Sequence, residues 1–238
     1  MVYVAILAAG FGVRMHRQDL PKPFLMLGSK PIIIHTLEQF YVNQNIDRIV
    51  VVVADTWRTY TEDLLKKYGT FGKDVTVIIG GISKTESIES VTINISTGYG
   101  CFDDDILVTH DAIRPFVTQR MIDENISTAR SFGAANTVMT TNDTIVVSLD
   151  GVKMSEVPRK YQMYAEQTPQ TFQLRKLIEV FEKAKEQNIK LSEETAIARL
   201  YISFDREMRL VNGEYSNMKI INPYDLEVAN ALLEERSK

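Results

Sequence analysis

Apolar positions along the chain follow two rhythms. Residues 2–7 (VYVAIL), 49–54 (IVVVVA), 75–79 (VTVII) and 106–108 (ILV) are short, continuous, largely β-branched runs, the pattern of strands buried on both faces. Between them apolar residues recur at helical spacing. One such segment follows Pro31 and passes through Leu37, Phe40 and Tyr41; a second is capped by Thr56 and stopped by Gly69. A third opens near Ser83 and runs to about Thr97, and a fourth runs from Thr118 to Phe132 and ends at Gly133. Alternating strands and helices predict a parallel sheet with helices on both faces. Residues 134–140 read as a further strand, 174–187 as an amphipathic helix, and Pro223 with Asp225 as the start of a terminal helix. Asp150-Gly151 between two alternating runs is a hairpin signal. A hairpin over residues 141–162 with an apolar face needs a surface other than its own sheet.

Composition narrows the class. The 238 residues, 45% of them hydrophobic, suffice for one α/β domain with a substantial core. A net charge of −4 without a Lys/Arg stripe argues against a general nucleic-acid binder, whereas a small anionic ligand needs only local cations. The single cysteine, Cys101, excludes an internal disulfide framework and fits a reducing compartment. With no signal-like start and no apolar run near about 18 residues, the expectation is a cytoplasmic protein with no membrane partner.

Chemistry concentrates after the first strand. Ala8, Ala9, Gly10 and Gly12 leave the backbone bare, as a loop wrapping phosphates requires. Arg14 and Lys22 follow, with Pro21 and Pro23 expected to hold Lys22 extended. Two cations beside a bare loop suggest a triphosphate clamp. A dinucleotide fingerprint would need a third glycine where Met15 stands, and the Gly-Lys-Ser/Thr of a P-loop is absent. Further on, Asp111 sits where a strand should leave the sheet, a position suited to holding Mg²⁺ against phosphates, with Arg114 just beyond it, locked by Pro115. Alone, such an Asp-x-x-Arg pair is more often a surface ion pair. His110 reads as structural, because neighbours on an extended segment point to opposite sides. His16 and His35 lack zinc-site spacing.

The string AILAAGFGVRM followed by PKPF resembles the signature of sugar-phosphate and polyol-phosphate nucleotidyltransferases, closest to the cytidylyltransferases acting on methylerythritol 4-phosphate and ribitol 5-phosphate. The resemblance implies a Rossmann-like nucleotidyltransferase fold: a mostly parallel twisted sheet with helices on both faces, plus a protruding β-hairpin arm. It also implies CTP and Mg²⁺. By that likeness Arg14, Lys22 and Lys219 stabilise the charge at the α-phosphorus. Residues 80–88 (GGISKTESI) match the segment holding the nucleotide, implying contacts from Gly81, Lys84 and Ser87; Lys84 replaces the family's arginine and loses its planar fork. THDAIRP makes Asp111 the metal carboxylate and Arg114 an acceptor-phosphate ligand. In VNGEYSNMKIINPYDL, Asn217 would lie near the metal and share one face of a strand with Lys219.

The resemblance further implies that the arm crosses to a second copy of the chain, where Arg159 or Lys160 would complete the acceptor site in trans. QTPQTF, read as a turn before a helix, would let Thr168 donate a hydroxyl to the acceptor or cap that helix. Ser192 and Glu193 follow neither the erythritol-specific nor the ribitol-specific pattern. THDAIRPF, MLGSKPIIIHTLEQF and GEYSN look more like the ribitol 5-phosphate enzymes of wall and capsule polymer synthesis, so ribitol 5-phosphate is the expected acceptor and methylerythritol 4-phosphate, of isoprenoid synthesis, the alternative. A catalytically silent nucleotide-binding subunit is a further reading. An NAD-dependent oxidoreductase lacks both the third glycine and the acidic residue about 20 positions on.

Overall fold

The computed structural model describes residues 1–10, 20–69, 74–192 and 195–236. Gly12, Arg14, His16 and Glu193, named above, lie outside the described residues. Strand β1 (Val2–Leu7) is the centre of the fold, pairing in parallel with β4 (Arg48–Val53) on one side and β6 (Ile106–Asp111) on the other. β5 (Asp74–Ile79) extends the β4 edge in parallel. β8 (Tyr164–Gln173) runs antiparallel between β6 and β7 (Ala134–Thr140), and β9 (Arg209–Asn212) closes the far edge parallel to β7. The order is β5-β4-β1-β6-β8-β7-β9, a seven-stranded, mostly parallel sheet as expected. A separate two-stranded ribbon joins β2 (Met26–Leu27) to β3 (Lys30–Pro31).

Side-chain alternation on the central strands builds two cores. Val2, Val4 and Ile6 of β1, with Ile49, Val51 and Val53 of β4, face α1 (Ile32–Tyr41), α2 (Arg58–Tyr68) and α4 (Gln119–Phe132). Tyr3, Ala5, Val50 and Val52 face α3 (Lys84–Tyr99), α5 (Leu174–Glu186) and α6 (Ile197–Ser203). A smaller cluster around Leu27, Phe116 and Ile220 seats α7 (Pro223–Arg236).

The chain departs from the sequence reading in four places. Lys22 opens a single 3-10 turn over Lys22–Phe24 instead of lying extended, because Pro21 and Pro23 are compatible with a first helical turn. Thr56 is not the cap of α2; it lies in a 3-10 turn ahead of that helix, whose cap position is Trp57. QTPQTF is neither a turn nor a helix start but the middle of β8. A proline belongs poorly in a central strand, yet the β7–β8 register shifts between Asn136 and Val138, so Pro169 falls outside the paired positions. Residues 213–222 are not a strand, so Asn217 and Lys219 do not share a strand face.

Segment 141–162 turns at Asp150-Gly151, where the Asp150 carboxylate accepts the N–H groups of Val152 and Lys153, both at 2.8 Å, and Gly151 has φ +72°. It carries one antiparallel bridge, Val147–Glu156, and is exposed almost throughout.

Candidate active site

The parallel strands end on one rim, and the sheet order reverses there: the chain fills positions outward from β1 through β4 to β5, then crosses to β6 on the other side. Ligands of open α/β sheets bind at such a switch point. A cavity of about 270 Å³ opens at it. Loop 8–10 leaves β1 along one wall; Leu7 pairs with Asp111 across the β1–β6 seam, and Ala112 N–H donates to Leu7 O at 3.1 Å. Loop 80–83 leaves β5 along another wall. Glycine is required at position 80, where a Cβ would stand 2.7–2.8 Å from Ser87 Oγ, Ala9 Cβ and Val52 Cγ1.

A capping box starts α3: Ser83 Oγ accepts Glu86 N–H at 3.0 Å, and Glu86 accepts Ser83 N–H at 3.3 Å. The helix therefore begins against the cavity, its positive end beside Lys84 and Ser87.

The structure brings Ala8, Ala9, Gly10, Lys22, Gly81, Lys84, Ser87, Asp111 and Lys219 to this one cavity. Leu7, Pro23, Ile82 and Ile113 complete much of its apolar lining and were missed, since nothing distinguishes an apolar residue at a strand end from core. Asp111 is the single carboxylate among the described lining residues. Lys84 Nζ lies 3.0 Å from its Oδ1, while Lys219 Nζ and Arg114 Nε lie 3.1 and 3.2 Å from its Oδ2. Burial alone would raise the Asp111 pKa, but Lys84, Lys219 and Arg114 outweigh it and hold the carboxyl well below its usual 3.8. The Asp111 carboxyl therefore stays ionised at neutral pH, and three cationic side chains around one carboxylate suit polyphosphate.

Beneath it lies a buried polar chain. His110 Nε2 is 3.0 Å from Arg114 O, a pure acceptor, so that nitrogen carries the proton and Nδ1 accepts from Thr168 Oγ1 at 3.0 Å. Thr168 Oγ1 in turn accepts Asp111 N–H at 3.2 Å. His110 thus clamps both ends of the 111–114 turn through uncharged bonds. Burial lowers its pKa from 6.5 to about 3, consistent with a neutral ring.

Three expected roles change in this arrangement. Thr168 is 2% exposed and its hydroxyl proton is spent on His110, so it neither donates to an acceptor nor caps a helix. Asn217 is fully buried and outside the cavity wall, with its side-chain N–H groups on Gln167 Oε1 (3.0 Å) and Thr168 O (2.8 Å). It anchors the loop carrying Lys219, and its Oδ1 is buried with no hydrogen-bond partner among the described residues. Arg114, 9% exposed, is likewise outside the wall and donates inward to Asp111 and to Asn217 O (2.8 Å). Arg159 and Lys160 stand on the exposed arm, bonded to Tyr161 Oη (2.9 Å) and Asn142 O (2.5 Å), and do not reach this chain's cavity.

Among the described residues no cluster of three or more His, Cys, Asp or Glu could hold a metal alone. Asp111 by itself fits Mg²⁺ only in company with substrate phosphates and water, the usual manner for that ion. No helix among the described residues is long and apolar enough to cross a membrane.

Known proteins share this architecture along nearly the whole chain. The 4-diphosphocytidyl-2C-methyl-D-erythritol synthase of Anaerococcus prevotii superposes with a TM-score of 0.80 at 25% identity, over 98% of this chain and 96% of its own. The 2-C-methyl-D-erythritol 4-phosphate cytidylyltransferase of Francisella tularensis gives 0.79 at 26% identity, over 97% and 98%. That of Thermus thermophilus gives 0.74 at 23%, over 98% and 100%. These relatives carry methylerythritol names, and none of them supports the ribitol phosphate expectation. The family model for 2-C-methyl-D-erythritol 4-phosphate cytidylyltransferase (IspD) matches residues 2–235, and the chain belongs to that cytidylyltransferase family.

Proposed function

We propose that the protein transfers CMP from CTP to 2-C-methyl-D-erythritol 4-phosphate, releasing pyrophosphate. The observation that carries this is the convergence of a bare loop, Lys22, Lys84, Lys219 and one carboxylate on a single cavity at the sheet's switch point. An oxygen of the acceptor phosphate forms a bond to the α-phosphorus of CTP as the bond to the β-phosphate oxygen breaks, and pyrophosphate leaves with that electron pair. The attacking phosphate is already ionised, so no general base is needed. Lys22, Lys84 and Lys219 orient the triphosphate and offset the charge on the oxygens of the transferring group, and Arg14 is assigned the same task from its motif. Asp111 would hold a divalent cation, which when bound neutralises phosphate charge.

The arm is proposed to pair with a second copy, bringing Arg159 or Lys160 to the partner's acceptor phosphate; the exposed Leu149, Val152 and Met154 suit such a contact. The test supplies CTP and Mg²⁺ with either methylerythritol 4-phosphate or ribitol 5-phosphate and follows pyrophosphate release and the ³¹P spectrum of the product. Turnover with the first supports the proposal. Turnover with ribitol 5-phosphate alone reassigns the acceptor, and saturable CTP binding without turnover on either refutes the transferase reading.

A further inference from the structure

A second cavity, of about 160 Å³, lies beyond Lys84, which lines both spaces. Its chemistry differs from that of the first. Where the nucleotide cavity presents lysines, this one presents Glu166, Gln170, Ser192 and Thr195. Apart from Lys84 at the junction, Glu166 is its one charged side chain among the described residues.

Glu166 is held in a particular way. Asn136 Nδ2 (2.7 Å) and Gln170 Nε2 (2.8 Å) both donate to the same oxygen, Oε1. Both amides come from the sheet, Asn136 from β7 and Gln170 from β8. Oε2 accepts no hydrogen bond from the described residues, although the carboxylate as a whole is anchored. Glu166 also lies on β8 two residues before Thr168, whose hydroxyl takes the Asp111 N–H. One strand thus carries both the Glu166 carboxylate and the threonine bonded to the phosphate-binding cluster.

A carboxylate with one oxygen pinned and the other without a partner among the described residues accepts hydrogen bonds from hydroxyl donors and repels phosphate. Lysines on one side of the junction and a carboxylate among hydroxyl and amide groups on the other match a ligand with a phosphate at one end and neutral hydroxyls at the other. We infer that this cavity receives the hydroxylated carbon chain of the acceptor, and that Glu166 is the side chain that selects for it. The inference rests on the polyol phosphate reading above and adds a residue that no sequence motif singled out.

The test measures the CTP dissociation constant by calorimetry, and KM and kcat for the acceptor, in the wild type, Glu166→Gln and Glu166→Ala. A charged hydrogen bond lost from the acceptor alone raises its KM by about 10- to 100-fold in Glu166→Ala. Glu166→Gln gives a smaller rise, with CTP affinity within about twofold in both. An acceptor analogue lacking its terminal hydroxyl loses affinity for the wild type but not for Glu166→Ala. A merely structural Glu166 would disturb CTP binding and kcat as well, and would not abolish the analogue's penalty. Unchanged acceptor KM in both variants overturns the inference while leaving the transferase reading intact. A wild type that binds CTP and turns over no polyol phosphate overturns both.

Discussion

Asp111→Asn is close to isosteric and removes one negative charge from a group facing Lys84, Lys219 and Arg114 at 3.0, 3.1 and 3.2 Å. The three cations do not suffer equally. The side chains of Lys84 and Lys219 are 39% and 38% exposed, so water screens them and each contributes little. Arg114 is 11% exposed and loses its carboxylate in the interior, and a buried charge left without its partner costs about 3 kcal/mol. For a domain of this size each kcal/mol moves the melting point by about 2–4 °C, so the ligand-free variant should melt about 6–12 °C below wild type in calorimetry. Lys84→Met lowers the cluster's positive charge and should leave the melting point unchanged or raised. The expected rate loss with CTP and acceptor for Asp111→Asn is about 10²- to 10³-fold. An Asp111→Asn variant melting at or above wild type would show that this carboxylate is not the counter-ion stabilising Arg114, and the reasoning would fail.

Since Asp111 is the single carboxylate in the described cavity wall, Mn²⁺ followed by electron paramagnetic resonance should bind at least about tenfold more tightly with CTP than without it; equal affinity in both conditions would contradict the substrate-borne site. The His110 ring should remain in its Nε2–H form from pH 7 down to about 4 by ¹⁵N NMR, because its pKa is lowered from 6.5 to about 3. The unfolded chain protonates this histidine first, so its contribution is present above pH 6.5 and is lost as pH falls toward 3, roughly 4–5 kcal/mol in all. Asp111 adds a loss of the same sign below its unperturbed 3.8. Denaturation midpoints that stay flat across pH 6.5–4 would refute the His110 assignment. Light scattering should find a dimer for the wild type and a monomer for Leu149→Asp with Val152→Asp, which change residues 90% and 84% exposed; a monomeric wild type would remove the in-trans role of Arg159 and Lys160.

The central strands were legible because burial on both faces leaves no polar alternation, and β1 was read to its last residue. Asp111 and Lys219, over a hundred positions apart, were legible as partners because the motifs around them are specific. What failed depended on neighbours distant in sequence. β8 was read as a turn because Pro169 breaks the local rule, and the register shift that accommodates it belongs to β7. Asn217 was read onto a strand from its i, i+2 spacing with Lys219, but the loop bends to bury it against Gln167 and Thr168. Glu166 carried no signal: its fixed geometry comes from Asn136, thirty residues earlier, together with Gln170.

The central claim is that one cavity holds the triphosphate, and a crystal structure with CTP and Mg²⁺ tests it most directly. The account predicts the phosphates along residues 8–10 and within reach of Lys22 and Lys219, with the metal between them and Asp111. A nucleotide bound elsewhere, with Lys84 and Lys219 still paired to Asp111, would contradict it.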